Sequence, residues 1–111
     1  NINCYETPQV SFYGKGQFYN WHMDTGVETV SDTYVRKLSM SVTLDDNFKG
    51  GDFQIQDWVH PQDSKKFSTL KDMRRIGSIT VFPSFMFHRV TKVKEGERCS
   101  LVCWFRGEPF Q

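Results

Sequence analysis

The sequence predicts a mainly β domain with few or no helices, on three observations. The chain has no alanine and ten phenylalanines, with many Val, Thr, Tyr and Ile, a composition poor in strong helix formers and suited to pleated, half-buried strands. Apolar and polar residues alternate over short stretches, which is the period of a strand with one buried face. Gly, Pro, Asn and Asp punctuate those stretches at short intervals, so about eight short strands with no internal repeat suggest a β-sandwich or jelly roll. With 111 residues, the chain is expected to form one domain, 1–111, around a single core.

The elements follow in order. Gln9 to Tyr13 alternates as a strand, Gly14-Lys15-Gly16 breaks it, and Gln17 to Asp24 resumes, a hairpin-like pattern. Thr25 to Tyr34 is polar and predicts a loop. Arg36 to Leu44 has a clean period of two, with Leu38, Met40, Val42 and Leu44 on one face and Ser39, Ser41 and Thr43 on the other. The hydroxyl face fits either a polar cavity or a solvated sheet surface. Asp45-Asp46-Asn47 ends that strand, and Gly50-Gly51 gives the permissive backbone for a tight entry into the short strand Asp52 to Gln56. Asp57 to Ile76 is basic and irregular, a functional loop or a solvated one. Gly77 opens Ser78 to Phe82, which Pro83 ends because proline cannot donate to a ladder. His88 follows, Lys94 to Glu97 predicts a turn, Arg98 to Phe105 a last strand with Arg98, Ser100, Val102 and Trp104 on one face, and Arg106 to Gln111 a tail.

Composition narrows the function classes. Fourteen Lys+Arg against thirteen Asp+Glu give a net charge of +1, which argues against a broad nucleic-acid or membrane-binding surface. No run of about 18 apolar residues and no signal peptide is present, so nothing is expected to span a membrane or direct secretion. Cys4, Cys99 and Cys103 are odd in number and form no disulfide framework, which fits a reducing, cytoplasmic setting. The chain does not start with methionine and is expected to be a fragment.

The candidate chemistry lies in Phe18 to Thr25. On a strand, His22 and Asp24 point to the same side while Trp21 and Met23 take the other. Joined by a distant second histidine, His88, they would complete the two-histidine, one-carboxylate facial triad that leaves coordination positions open on a non-haem Fe(II). A lone His-x-Asp is weak evidence, and His60, beside Pro61 with no partner at ligand spacing, is taken as a surface residue.

The ordered set His22-x-Asp24, Gly50-Gly51, Gly77 to Pro83, and His88 with Arg98 ten residues later is far more specific. It resembles the 2-oxoglutarate and Fe(II)-dependent dioxygenases. Tyr19-x-x-His22-x-Asp24, Gly50-Gly51-Asp52-Phe53 and His88-Arg89-Val90 through Gly96-x-Arg98 to Trp104 are similar to the prolyl 4-hydroxylase branch, over about residues 9 to 107. The resemblance implies a double-stranded β-helix in which His22, Asp24 and His88 hold Fe(II). It implies 2-oxoglutarate and O2 as co-substrates, and it admits ascorbate. It places Arg98 on the far carboxylate of 2-oxoglutarate, Tyr13 and Thr43 as hydroxyls assisting that co-substrate, and Trp104 as an aromatic wall of the iron pocket. A planar guanidinium suits a carboxylate, giving two parallel charge-assisted hydrogen bonds.

The implied reaction hydroxylates a prolyl residue in a peptide or protein, releasing succinate and CO2. The alternatives are another protein residue, a small molecule, or a non-catalytic jelly-roll module binding metal or carbohydrate. That module would need no Arg98 facing the triad. A halogenating member would lack Asp24. A nucleic-acid dealkylating member usually has a second arginine where Trp104 stands, and the near-neutral charge agrees that nucleic acid is not the partner. The chain departs from the family in two respects. The sequence begins where members usually place helices that cover the outer face, here Leu101, Cys103 and Phe105. Those helices are expected either to be absent or to lie in residues outside this sequence, and the Asp57 to Ile76 insertion fits no pattern. That insertion and Thr25 to Tyr34 are expected to move over substrate.

Overall fold

Two facing β-sheets enclose a cavity in the structure, a computed structural model that describes residues 2–25, 34–56 and 66–109. The strands are β1 (Ile2–Tyr5), β2 (Gln9–Tyr13), β3 (Tyr19–His22), β4 (Val35–Thr43), β5 (Phe48–Gly50), β6 (Phe53–Gln56), β7 (Phe67–Thr69), β8 (Ile79–Pro83), β9 (His88–Val90), β10 (Val93–Gly96) and β11 (Arg98–Gly107). One short 310 helix, Lys71–Arg74, accompanies them. No described helix is long and apolar enough to cross a membrane.

β11 is the spine of the larger sheet. β4 pairs along one of its edges and β8 pairs with β4, while β1 and β2 share the other edge end to end. β2 lies opposite Arg98 to Val102 and β1 opposite Phe105 to Gly107, and the Glu6 amide donates to the Trp104 carbonyl where they meet. The smaller sheet runs β3-β9-β6-β7, and β5 with β10 forms a separate ribbon. All these pairs are antiparallel.

The period of two along β4 decides which face looks inward. Ser39, Ser41 and Thr43 are buried, and Ser39 and Ser41 line the cavity, so the hydroxyl face is the inner one. The outer face of the larger sheet is apolar instead, with Val10, Phe12, Ile79 and Val81 more than half exposed. The core proper is Phe53, Met73, Phe82 and Val90, backed by Ile55, Leu70 and Met86. Met73 arrives on the 310 helix, and Arg74 anchors that helix by donating to the carbonyls of Gly50 and Phe48 and to the Asp52 carboxylate at 2.7–2.8 Å.

Several sequence expectations change here. Strands β2 and β3 do not form a hairpin with each other: β2 joins β11 and β3 joins β9, in different sheets. A two-glycine break permits a sharp turn, but it also lets the chain cross between layers. Lys94 to Glu97 is not a free turn, since Val93–Gly96 pairs with β5. Arg106 and Gly107 continue β11 rather than beginning a tail, and β1 precedes the first strand expected. Within Asp57 to Ile76, residues 57–65 lie outside the described residues, and the remainder contributes β7 and the 310 helix. Residues 26–33 of the Thr25 to Tyr34 loop also lie outside them.

Candidate metal centre and cavity

His22 ends β3 and His88 begins β9, and the antiparallel register sets them directly opposite one another. Facing residues on adjacent strands project to the same side of the sheet, which brings the two imidazole centroids to 4.2 Å. Each ring is aimed by its own strand. His22 Nδ1 donates to the Asn20 carbonyl at 2.7 Å and His88 Nδ1 to the Met86 carbonyl at 2.9 Å. A carbonyl can only accept, so both Nδ1 atoms carry a proton, which leaves each Nε2 as the atom that offers a lone pair to a metal.

Asp24 lies just past β3, where its amide donates to the Ser84 carbonyl in the turn between β8 and β9. Its Oδ1 stands 3.5 Å from His22 Nε2 and 3.3 Å from His88 Nε2. Those separations are longer than a good N–H···O hydrogen bond. They suit three donors converging on one cation, and the three ligand atoms lie within 4.8 Å of one another. Two neutral imidazole nitrogens and one carboxylate oxygen are a donor set for a divalent first-row metal such as Fe(II). Oδ2 is otherwise engaged, accepting from Ser39 Oγ at 2.5 Å and from Trp104 Nε1 at 3.0 Å. Burial pushes the Asp24 carboxyl up, but His22, His88 and Ser39 together hold it well below the usual carboxylate range.

The cavity beneath the three donors measures about 330 Å3 and takes walls from both sheets. Arg98 lines it, 3% exposed, with one guanidinium nitrogen donating to Ser100 Oγ at 2.7 Å. Among the described residues no carboxylate pairs with it, and burial lowers its pKa from the ordinary guanidinium value, a shift the nearby Tyr13 hydroxyl opposes. Gly51 makes room for the arginine stem: its φ is +59°, and a Cβ there would stand 3.3 Å from Arg98 Cδ. Tyr13, opposite Arg98 in register, also lines the cavity, and burial raises its hydroxyl pKa against the pull of Arg98.

The structure therefore brings His22, Asp24, His88, Arg98, Tyr13 and Trp104 to one cavity. Thr43 is placed differently. It is 1% exposed, its hydroxyl donates to the Met73 carbonyl at 2.5 Å, and it is not part of the cavity lining. A strand residue on the correct face can still lie one pair too deep to touch a ligand. Ser39, Ser84 and Arg36 carry parts of the site that sequence reasoning missed. The alternating hydroxyls of β4 were the available signal for Ser39, whereas Ser84, fully buried and bonded to Ser39 Oγ at 2.9 Å, sits in a turn with no pattern to mark it.

Comparison with known proteins agrees with this geometry. The model of the 2OG-Fe(II) oxygenase superfamily matches residues 8–106. A PKHD-type hydroxylase of Shewanella sp. (strain MR-7) is 32% identical over 103 residues, spanning 89% of this chain and 42% of that protein. A PKHD-type hydroxylase of Hyphomonas neptunium is 32% identical over 102 residues with the same coverage. The chain thus spans less than half the length of these curated relatives. Among solved structures, a Pseudomonas putida prolyl-4-hydroxylase superposes with a TM-score of 0.70 at 24% identity, covering 95% of this chain and 54% of that one, so the folds correspond. With the jelly-roll architecture, the three converging donors and a family match over nearly its whole length, the chain belongs to the 2OG-Fe(II) oxygenase superfamily.

Proposed function

We propose that this chain carries the catalytic core of an Fe(II)- and 2-oxoglutarate-dependent oxygenase that hydroxylates a prolyl residue in a peptide or protein. The observation that supports this most is the placement of Arg98, itself buried, in the same cavity as the His22, Asp24 and His88 donors. A metal site alone fits many roles, but a buried cation with no carboxylate partner among the described residues calls for an anionic ligand. The name hydroxylase carried by the PKHD-type relatives, and the prolyl-4-hydroxylases among the structural neighbours, favour the substrate class.

His22 Nε2, Asp24 Oδ1 and His88 Nε2 would hold the iron. Bound iron supplies O2 activation coupled to decarboxylation of 2-oxoglutarate to succinate and CO2, with one oxygen atom delivered into a substrate C–H bond. The residues of the chain bind, orient and exclude water. Arg98 takes the far carboxylate of 2-oxoglutarate, and the Tyr13 hydroxyl lies beside it on the paired strand. Phe53, Phe82, Val90 and Val102 line the cavity with apolar surface, which keeps bulk water from the co-substrate. Tyr19 stacks on the His22 ring at 3.7 Å and is half exposed, so it forms the rim across which a substrate side chain enters.

The test supplies Fe(II), 2-oxoglutarate and O2 with a panel of proline-containing and proline-free peptides. The expected result is a mass gain of one oxygen on a prolyl residue with stoichiometric succinate, absent in His88→Ala. Succinate formation without oxygen on any proline would overturn the substrate class. No turnover of 2-oxoglutarate with any peptide would overturn the reaction.

A further inference from the structure

Glu6 lies outside the metal centre, yet its contacts lead to it. Arg36 and Arg106 face each other across the β4–β11 pair, an arrangement in which two like charges repel. Glu6, between β1 and β2, answers both. Its Oε2 accepts from Arg36 Nε at 2.6 Å and from Arg106 Nε at 2.9 Å, and its Oε1 accepts from the Arg36 terminal nitrogen at 2.9 Å. So held, the Arg36 guanidinium lies 3.9 Å from the centroid of the Trp104 ring, a cation–π contact that fixes the plane of the indole. The Glu6 amide also donates to the Trp104 carbonyl. Side chain and backbone of one residue thus fix Trp104 from two directions.

The indole N–H then donates to Asp24 Oδ2 at 3.0 Å, beside the Ser39 hydroxyl at 2.5 Å. With those two donors on Oδ2, the carboxylate is turned so that Oδ1 alone faces His22 and His88. We propose that Glu6, Arg36 and Trp104 are positioning residues that lock Asp24 into binding the metal through one oxygen. The locking conserves open coordination positions, because a carboxylate free to rotate can offer both oxygens and occupy a position a co-substrate needs. Such outer contacts typically change metal affinity about 10–100-fold when removed. The inference rests on reading the three donors as a metal site.

The test uses Co(II), an air-stable probe whose visible absorption reports coordination number and geometry, titrated into wild type, Trp104→Phe and Glu6→Gln. Trp104→Phe keeps an aromatic face for Arg36 and removes the N–H together with the rest of the second ring, so Glu6→Gln, which leaves the indole intact, is its control. The expected result is Co(II) affinity lower by about tenfold or more in Trp104→Phe, a changed Co(II) spectrum, and a smaller loss with the same spectral change in Glu6→Gln. Wild-type affinity and spectrum in a folded Trp104→Phe would overturn the relay while leaving the metal site standing. Absence of Co(II) binding by wild type would overturn both. Should Trp104→Phe fail to fold, Glu6→Gln decides: an unchanged spectrum overturns the relay and an altered one supports it.

Discussion

Ser39 and Thr43 share the inner face of one strand, yet their hydroxyls serve different partners. Ser39 donates to the Asp24 carboxylate, while Thr43 donates to the main chain of the 310 helix and stays out of the cavity lining. Thr43→Val keeps the shape and leaves the Met73 carbonyl without its donor, which should cost about 1–3 kcal/mol of stability. The affinity for 2-oxoglutarate should change less than about twofold, since no co-substrate contact is lost. Chemical denaturation and a co-substrate titration check the two halves, and a tenfold loss of affinity would return Thr43 to the cavity. At this scale the sequence was informative where chemistry restricts the choice of residue. His22, Asp24, His88 and Arg98 are types that seldom stand buried without a reason, and their spacing exposed them. Ser84 and Glu6 are ordinary residues whose importance comes from what lies across the sheet, which no local pattern encodes.

Between strands, Glu6 is an electrostatic clasp joining the β1–β2 connection to β4 and β11. The Arg36 hydrogen bond, with Arg106 in support, holds its carboxyl below the ordinary glutamate value even though partial burial pushes the other way. A carboxyl whose folded pKa is depressed adds stability that is present above its unfolded value of about 4.3 and is lost as the pH falls through the folded value. Glu6→Gln should therefore lower stability by about 1–2 kcal/mol at pH 7 and flatten the fall in stability on acidification below about pH 4.3. Denaturant melts of both proteins from pH 7 to pH 3 measure it. Parallel curves across that range would show that Glu6 keeps its charge for no energetic benefit. The elements themselves were partly legible. The alternation in β4 and β11 is long enough to fix both strands and their faces, but β1, β5, β7 and β10 span only three or four residues. Short strands are made by pairing and not by propensity, so their partners had to be seen. The same holds for β2 and β3, whose separating glycines permit a hairpin and a crossover equally.

Over the whole molecule, the metal centre and the core are one structure. His88 lies edge-on to Phe82 at 4.7 Å and stacks with Phe53 at 5.7 Å, both core residues, while Asp24 reaches from the smaller sheet to Ser39 and Trp104 of the larger one. An ion bound there ties the sheets together and has no comparable site in the unfolded chain. Co(II) at about a hundred times its dissociation constant should add about 2.7 kcal/mol, which for a domain of this size is a rise of roughly 10 °C in Tm. Calorimetry with and without Co(II) checks this, and an unmoved Tm would mean that the three donors do not hold an ion in the folded state. The buried Arg98 has a further consequence, in electroneutrality. Arg36, also in the lining, is answered by Glu6 outside it. Of the rest, Asp24 contributes one negative charge, Arg98 one positive and a divalent ion two more, while histidines that ligate a metal are neutral, so the loaded cavity lacks two negative charges. 2-Oxoglutarate supplies that number and pyruvate, with the same keto-acid end, supplies one. The metal and the dianion should consequently strengthen each other's binding by the same factor, and in the Co(II)-loaded protein 2-oxoglutarate should bind far more tightly than pyruvate, whose single carboxylate leaves Arg98 unanswered. Calorimetric titration of each anion into the metal-free and Co(II)-loaded protein measures this, and equal affinities of the two anions for the loaded protein would show that Arg98 has its countercharge elsewhere.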